Sequence, residues 1–267
     1  MLSKNKIKFI NSLKKKKYRN EKGLFIAEGA KLVNEILSSG FQVFLLCATP
    51  EWLNTSNHKK QANIKEVIPI TQKELNRIST QKNPNQVLAV VEQPFYKITD
   101  DELTNDLSIV LDTLNDPGNL GTIIRIADWF GIRNLMCSHS TVDVYNPKVI
   151  QSTMGSICRV KIHYMDVEFI LSKYQNIKEF SIYGSFLEGS NIYETELSDK
   201  GFIVMGNEAH GISSELVPFI NNQLYIPNYS HKSDSNPESL NVSVATGIIC
   251  SEFRRRASIK SKSFKMK

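Results

Sequence analysis

Short apolar runs alternate with amphipathic segments along the second half of the chain, and this alternation constrains the fold most. Residues 107–111 (LSIVL) and 201–205 (GFIVM) are continuous or nearly continuous apolar runs of strand length. Helical spacing follows in residues 120–130, and a long final helix is predicted from about Ser239 to Arg255. Strands that are apolar on both faces are typical of parallel sheets covered by helices. The sequence therefore predicts an α/β fold that binds ligands beyond the carboxyl ends of its strands.

Weaker patterns complete the predicted organisation. Residues 1–95 predict a small α/β unit, and residues 93–106 carry a proline and an acidic cluster that mark a domain boundary. We therefore predict a first domain at 1–95, a linker at 96–106, a second domain at 107–258 and a basic tail at 259–267. The remaining predicted elements are strands at 24–26, 41–48, 67–70, 87–91, 134–138, 181–185 and 224–226, and helices at 32–37, 72–78, 147–154 and 214–220.

Composition excludes several classes of protein. The chain has 267 residues, of which 41% are hydrophobic and 22% charged, and this balance is typical of a globular protein that can bury a core. No apolar stretch approaches the ~18 residues of a membrane span, and the first residues do not resemble a secretion signal. The four cysteines form no C-x-x-C pair and have no histidine at metal spacing. We expect reduced thiols, no metal site and a cytoplasmic protein without membrane contact.

Positive charge is concentrated at both ends of the chain. Residues 1–22 hold nine Lys or Arg and one Glu, and residues 251–267 hold seven and one, so the intervening body is acidic. Blocks of like charge at chain ends often contact polyanions, because a cation that neutralises a phosphate releases a counterion. From charge alone, a solubilising tail is an equal alternative. The candidate phosphate contacts are Lys14, Lys15, Lys16, Lys17, Arg19 and Arg254.

Three loops follow predicted strands, and the first opens a helix. Residues 112–121 (DTLNDPGNLG) have a composition suited to exposed backbone N–H groups that hold an anion or a ribose. The loop lacks the G-x-G-x-x-G fingerprint of dinucleotide sites. In the helix that follows, Arg125 points away from the buried stripe. Its alternative role is a surface ion pair with Asp128.

The second and third loops also carry polar candidates. Glu208 follows a strand directly and suits a carboxylate that orients a hydroxyl or a guanidinium, although a simple turn is the alternative. Ser239 could serve as the N-cap of the final helix. Capping by Ser239 does not explain Asn241, which is a poor helix former, so we expect its amide to bond a specific partner.

Together these segments resemble a known family. NDPGNLGTIIRIADWFG (115–131), IVMGNEAHGIS (203–213), and YIPN with SLNVSVATGI (225–228 and 239–248) resemble the three motifs of the SpoU-like branch of the SPOUT RNA methyltransferases. Residues 1–95 resemble the family's N-terminal substrate-binding domain, through Phe25, Glu28 and Gly29 among others. The resemblance implies a homodimeric RNA ribose 2′-O-methyltransferase that binds S-adenosylmethionine in a deep trefoil knot.

The resemblance also implies roles for individual residues. Arg125 would accept the proton of the ribose hydroxyl or stabilise the developing alkoxide, and Glu208 and Asn241 would orient it. The implied catalytic residues are Arg125, Asn119, Glu208, Ser239 and Asn241. The implied cofactor-binding residues are Gly206, Ile226, Leu240, Met205, Asn207 and Asn228. The loop at 227–238 is longer than is usual in the family, has Asn228 where many members have methionine, and is predicted to be mobile.

Three hypotheses for the function follow. The first is RNA 2′-O-methylation, with ribosomal RNA favoured over transfer RNA because the small N-terminal domain is more typical of members that act on ribosomal RNA. The second is a non-catalytic RNA-binding or ribosome assembly factor that keeps the fold; the presence of Arg125 and Asn119 counts against it. The third is an unrelated Rossmann enzyme, which the missing glycine fingerprint counts against.

Overall fold

The computed structural model describes residues 2–55, 63–230 and 239–265, with side chains up to residue 257. The helices within these ranges are α1 (Lys4–Ser12), α2 (Lys16–Lys22), α3 (Ala30–Ser38), α4 (Pro50–Thr55), α5 (Gln72–Ile78), α6 (Asp100–Asn105), α7 (Pro117–Trp129), α8 (Pro147–Thr153), α9 (Val167–Tyr174) and α10 (Val242–Lys265). The strands are β1 (Leu24–Glu28), β2 (Val43–Ala48), β3 (Val67–Pro69), β4 (Val87–Glu92), β5 (Leu107–Leu111), β6 (Asn134–Cys137), β7 (Lys161–Tyr164), β8 (Ile182–Asn191), β9 (Gly201–Met205) and β10 (Asn222–Tyr225).

The chain forms two compact units. Unit 1 comprises Met1–Phe95 and Asp143–Cys158, and unit 2 comprises Tyr96–Val142 and Arg159–Lys267. Unit 1 holds a four-stranded sheet of order β1-β4-β2-β3, in which β4 runs antiparallel to both of its neighbours. The lysine-rich start of the chain forms α1 and α2, which the sequence patterns did not predict. Ile10 and Leu13, at the end of α1, are nonetheless fully buried in the core of this unit.

The segment Asp143–Cys158 lies in the range predicted for the second domain, yet it packs into unit 1. Its helix α8 contacts β1, and the ring of Tyr145 stacks on that of Phe25 with 5.0 Å between ring centroids. A side chain on Gly155 would place its Cβ 2.8 Å from Cγ of Glu35 in α3. An aromatic stack and a close helix contact therefore hold this segment in unit 1, and neither is visible as a pattern in the sequence.

Unit 2 is built on a six-stranded sheet of order β10-β8-β9-β5-β6-β7 in which every neighbouring pair is parallel. All five residues of the central strands β5 and β9 are buried. Because the strands are parallel, their carboxyl ends share one edge of the sheet. The predicted α/β fold with a parallel sheet is confirmed, and the trefoil knot implied by the resemblance remains a prediction.

The structure differs from the predicted elements at several places. Only a 3₁₀ turn, Val217–Phe219, forms within the helix predicted at 214–220, since Pro218 provides no backbone N–H donor. The predicted linker 96–106 contains α6, whose Leu103 is buried in the core of unit 2. The elements β7 and α9 were not predicted. Within the described ranges, no helix combines the length and the apolar character that crossing a membrane requires.

Candidate active site

The first turn of α7 holds Asn119 in a fixed position at the carboxyl end of β5. Asp116 is the N-cap of this helix, and its Oδ1 accepts the backbone N–H of Asn119 at 2.8 Å. Pro117 occupies the first helical position, where a missing N–H costs nothing. The helix start therefore follows from the sequence D-P-G-N, and it places an amide side chain at the edge of the sheet.

A chain of hydrogen bonds joins the three predicted motifs at this edge. Asn119 donates from Nδ2 to Oε1 of Glu208 at 2.9 Å. Asn241 in turn donates from Nδ2 to Oδ1 of Asn119 at 3.1 Å. Because the carboxylate of Glu208 can only accept when ionised, it sets the orientation of the Asn119 amide, which then sets that of Asn241. The structure thus brings together Asn119, Glu208 and Asn241, which are far apart in the sequence.

Asn241 also begins the final helix, so the start predicted at Ser239 is wrong. Its Oδ1 accepts the backbone N–H and the Oγ–H of Ser243, at 3.0 and 2.6 Å, and the backbone N–H of Val244 at 3.4 Å. Asn241 is therefore the N-cap of α10, and the exposed Ser239 lies before it. Ser243 is buried and was missed by the sequence reasoning. The N-x-S spacing of a capping residue and its second helical residue is the signal that could have found it.

Arg125 is exposed on α7 and is available to a substrate. In the part of the chain that the structure describes, its guanidinium makes no hydrogen bond or ion pair. The alternative partner, Asp128, is instead engaged by Arg159, whose Nε lies 3.0 Å from each carboxylate oxygen. The surface ion pair considered for Arg125 is therefore wrong, because Arg159 occupies the carboxylate it required.

The loop after β9 is tightly packed around Gly206. Asn207 and Gly211 exchange backbone hydrogen bonds of 2.8 and 2.9 Å, which close the loop on itself. A Cβ at Gly206 would lie 2.1 Å from the carbonyl carbon of Gly211, so only glycine fits there. Asn207 also donates from Nδ2 to the carbonyl oxygen of Thr113 at 2.7 Å. Met205, the last residue of β9, is buried.

A buried carboxylate, Asp112, ties the first loop to the second and was not predicted. Its Oδ2 accepts the backbone N–H and the hydroxyl of Ser213 at 2.8 and 2.6 Å, and its Oδ1 accepts the hydroxyl of Thr113 at 2.9 Å. Thr113 has a φ of 55°, a strained value for a β-branched residue of the kind that clusters at functional sites. The sequence signal that could have identified Asp112 is an acidic residue directly after a buried strand.

The third segment presents apolar side chains near the start of α10. Ile226 is half-buried and Leu240 is 49% exposed. Asn228 is exposed, and its Oδ1 accepts the backbone N–H and hydroxyl of Ser230 at 2.8 and 2.7 Å. Of the loop predicted to be mobile, residues 231–238 lie outside the described residues.

Two of the predicted phosphate contacts have partners within the protein, and for the buried Arg19 the prediction is wrong. Arg19 is 2% exposed and its guanidinium binds Asp143 in a buried ion pair, so it cannot reach a phosphate. Arg254 donates from Nε to the carbonyl oxygen of Phe130 at 2.7 Å and thereby caps the end of α7. In both cases a partner distant in sequence has engaged the guanidinium.

The lysines are placed differently. Lys15, Lys16 and Lys17 are exposed between α1 and the first turn of α2. Lys14 is half-buried and donates from Nζ to the carbonyl oxygen of Ser79 at 2.8 Å, and burial lowers its pKa. The three exposed lysines, which we call the lysine turn, are therefore the best placed of the predicted phosphate contacts.

Two family models and a bacterial relative match this chain. Residues 106–251 match the SpoU rRNA Methylase family, and residues 4–89 match the MRM3-like substrate binding domain. The chain is 28% identical over 252 residues to the 23S rRNA (guanosine(2553)-2′-O)-methyltransferase RlmP of Bacillus subtilis, covering 93% of this chain and 96% of that protein.

Two solved structures share the fold over nearly the whole chain. A structure from Porphyromonas gingivalis, described as an RNA methyltransferase of the TrmH family, is 37% identical with a TM-score of 0.85 and covers 96% of this chain and 99% of its own. The AdoMet-bound rRNA methyltransferase of Sinorhizobium meliloti is 29% identical with a TM-score of 0.80 and covers 96% of each chain.

Proposed function

Because this chain belongs to the SpoU rRNA methylase family, we propose that it transfers a methyl group from S-adenosylmethionine to a ribose 2′-hydroxyl of ribosomal RNA. The observation that carries this proposal is the hydrogen-bonded chain Glu208–Asn119–Asn241, which joins all three motifs at the carboxyl edge of the sheet. The relative from Bacillus subtilis is named for 2′-O-methylation of a guanosine in 23S rRNA, and its match covers both units of this chain. We also propose a cytoplasmic location, because the relative that matches nearly the whole chain is a bacterial protein.

Arg125 is the residue that we assign to the reacting hydroxyl. A ribose hydroxyl is a weak nucleophile at neutral pH, so its proton must leave as the methyl group arrives. Among the described residues, the exposed side chain of Arg125 has no partner. As neutral guanidine it would take the proton; as guanidinium, which cannot accept a further proton, it would stabilise the negative charge of the alkoxide while water takes the proton. Glu208 and Asn241 hold the surrounding edge rigid through Asn119. In either role, loss of the Arg125 guanidinium removes the step.

The second and third loops fit an adenosine ligand. S-adenosylmethionine supplies an electrophilic methyl group, which needs no metal ion. Gly206 lets the backbone of Gly211 and Ile212 pack against it and so keeps the second loop closed, and Ile226 and Leu240 present apolar surface that is not fully covered. We assign cofactor contacts to these three residues, with Met205, Asn207 and Asn228 alongside them.

The proposal is tested by methyl transfer to separated RNA fractions. Ribosomal and transfer RNA are purified from a strain that lacks the gene and are incubated with protein and labelled S-adenosylmethionine. We expect incorporation into ribosomal RNA, lost in Arg125→Ala and retained in the control Arg133→Ala, an exposed arginine before β6 at the opposite edge of the sheet. Incorporation into transfer RNA alone would contradict the substrate class.

We also propose that a second copy of this chain docks on unit 2. A groove of about 590 Å³ lies between α7 and α10, and its apolar lining includes Ile126, Phe130 and Val244. Val244 is 51% exposed, and Trp129 on α7 is 85% exposed. Exposed apolar surface of this kind is typical of an interface, and the resemblance to the family implies a homodimer.

Sedimentation velocity at micromolar concentration tests the dimer. We expect Val244→Asp to convert the dimer to a monomer, because the carboxylate would be buried without a partner. Phe169→Asp is the matched control, since Phe169 is 63% exposed on α9 and lies outside the groove. A wild-type protein that sediments as a monomer, or a Val244→Asp variant that stays dimeric, would contradict this interface.

A further inference from the structure

The buried Arg19 occupies the junction from which the lysine turn projects. Its Nε and Nη2 donate to Oδ2 of Asp143 at 2.9 and 2.5 Å. Its Nη1 donates to the backbone carbonyl oxygens of Leu13 and Lys14, each at 2.9 Å. Leu13 is the C-cap of α1, so the guanidinium satisfies carbonyl groups at the end of that helix. A single side chain thus binds both the end of α1 and a distant carboxylate.

The lysine turn begins directly after these two carbonyl groups. Lys15 is the N-cap of α2 and has no side-chain capping bond, so nothing in its own side chain fixes the turn. The ammonium group of Lys14 is drawn to Ser79. The bonds of Arg19 and Lys14 therefore fix the protein-facing side of the lysine turn, while the three exposed lysines face solvent.

Asp143 provides the counter-charge from a remote part of the chain. It lies 124 residues beyond Arg19, and its second oxygen, Oδ1, accepts the backbone N–H of Tyr145 at 3.0 Å. Tyr145 stacks on Phe25, which anchors the segment to β1. A buried guanidinium without such a counter-ion is costly, and the flexible arginine then loses its fixed geometry. The carboxylate of Asp143 therefore determines whether Arg19 keeps its bonds to the carbonyl groups of Leu13 and Lys14.

We propose that Arg19 and Asp143 form a positioning pair that holds the lysine turn in the arrangement that contacts the RNA phosphate backbone. The pair does not touch RNA itself. The proposal rests on the proposed function, because it takes the lysine turn as a phosphate contact. It assigns to Asp143, which lies within the range matching the methylase family, a role in the RNA contacts of the unit that matches the substrate binding domain.

The direction in which Asp143→Asn changes the affinity for RNA separates this proposal from a purely electrostatic effect. Asp143→Asn removes a negative charge, which by charge alone would strengthen binding to a polyanion. If the pair positions the turn, the same variant weakens binding, by about tenfold, because fewer phosphates are neutralised together. Glu51→Gln is the matched control, since it removes an exposed negative charge from α4 of the same unit. It is expected to bind RNA as tightly as the wild type or slightly more tightly.

The experiment measures binding of the full-length protein to a fluorescein-labelled RNA hairpin by anisotropy over a series of KCl concentrations. A triple variant, Lys15→Gln with Lys16→Gln and Lys17→Gln, is expected to reduce the salt slope by up to ~3. Adding Asp143→Asn to the triple variant should cost little more, since a positioning pair has nothing left to position. A defect that only loosened the fold would instead add to the loss of the lysines.

A second variant guards against misfolding of Asp143→Asn. Arg19→Lys keeps the net charge, but its single nitrogen cannot occupy the three positions from which Nε, Nη1 and Nη2 of Arg19 donate, so RNA binding should again weaken while cofactor binding is unchanged. Unchanged RNA binding in Asp143→Asn and Arg19→Lys, or losses that add fully to the triple variant, would overturn the proposal. Unchanged binding in the triple variant would also overturn it, while methyl transfer by the same protein would leave the proposed function standing.

Discussion

Replacement of Asn119 by alanine tests whether the hydrogen-bonded chain at the sheet edge serves catalysis. The amide makes two bonds, one to the carboxylate of Glu208 and one from Asn241. A neutral bond contributes ~1 kcal/mol net and a bond to a charged group ~1.5–3 kcal/mol, and exposure to solvent favours the lower values. If the two bonds together stabilise the transition-state arrangement by ~2–3 kcal/mol, their loss raises the activation free energy by that amount and reduces the rate about 30- to 150-fold.

The assay is single-turnover methyl transfer with RNA and S-adenosylmethionine both saturating, so that the rate reports the chemical step. Asn105→Ala is the matched control, because Asn105 on α6 also donates its amide to an exposed carboxylate, that of Asp101, at 2.8 Å. We expect the control to keep the wild-type rate and both variants to remain folded at the assay temperature, with the Tm lowered by several degrees. A rate for Asn119→Ala within about threefold of the wild type would refute the argument that this chain positions the reacting groups.

Three further predictions follow from packing and charge. Gly206→Ala should lower the Tm by several degrees and abolish binding of S-adenosylmethionine in calorimetry, because the added carbon would collide with backbone. Burial raises the pKa of Cys47 and of Cys250 to about 12, so neither thiol should react with iodoacetamide at about pH 8 until guanidinium unfolds the chain. A hydrogen bond from Lys161 lowers the pKa of Glu102, so this pair stabilises the fold above the ordinary pKa of a glutamate and loses its effect as the pH falls. Glu102→Gln should accordingly lower the Tm slightly at neutral pH and not at all in acid, whereas an equal decrease at both pH values would contradict the ion-pair explanation.

The elements of unit 2 that frame the site are the ones a sequence can predict. β5 and β9 are apolar runs buried on both faces, so their existence follows from residue type alone. β7, with the sequence KIHY, has no such signature, because it lies at the edge of the sheet and only one of its four residues is buried. The lysines of α1 and α2 likewise hide two helices from pattern-based prediction: α1 reaches the core through Ile10, and the only buried residue of α2 is Arg19.

The errors at individual residues have a common physical cause. Arg19 lies in a basic segment and is predicted as a phosphate contact, yet Asp143, which is distant in the sequence, holds it in a buried ion pair. Arg254 stays a predicted phosphate contact, although its Nε donates to the carbonyl oxygen of Phe130. Asn241 was expected to have a specific partner, and the structure supplies two: the capped helix and Asn119. Local patterns predict which side chains are polar and near an element end; they do not predict which tertiary partner engages them.

The most direct test of the proposed reaction is the chemical position of the transferred methyl group. Labelled ribosomal RNA from the methyl transfer reaction is hydrolysed in alkali, which cleaves every linkage except one that follows a 2′-O-methylated ribose. We expect label in an alkali-resistant dinucleotide with wild-type protein, and no label with Arg125→Ala although S-adenosylmethionine still binds. Label recovered in ordinary mononucleotides, as a base-methylated product would give, would contradict ribose methylation by this site.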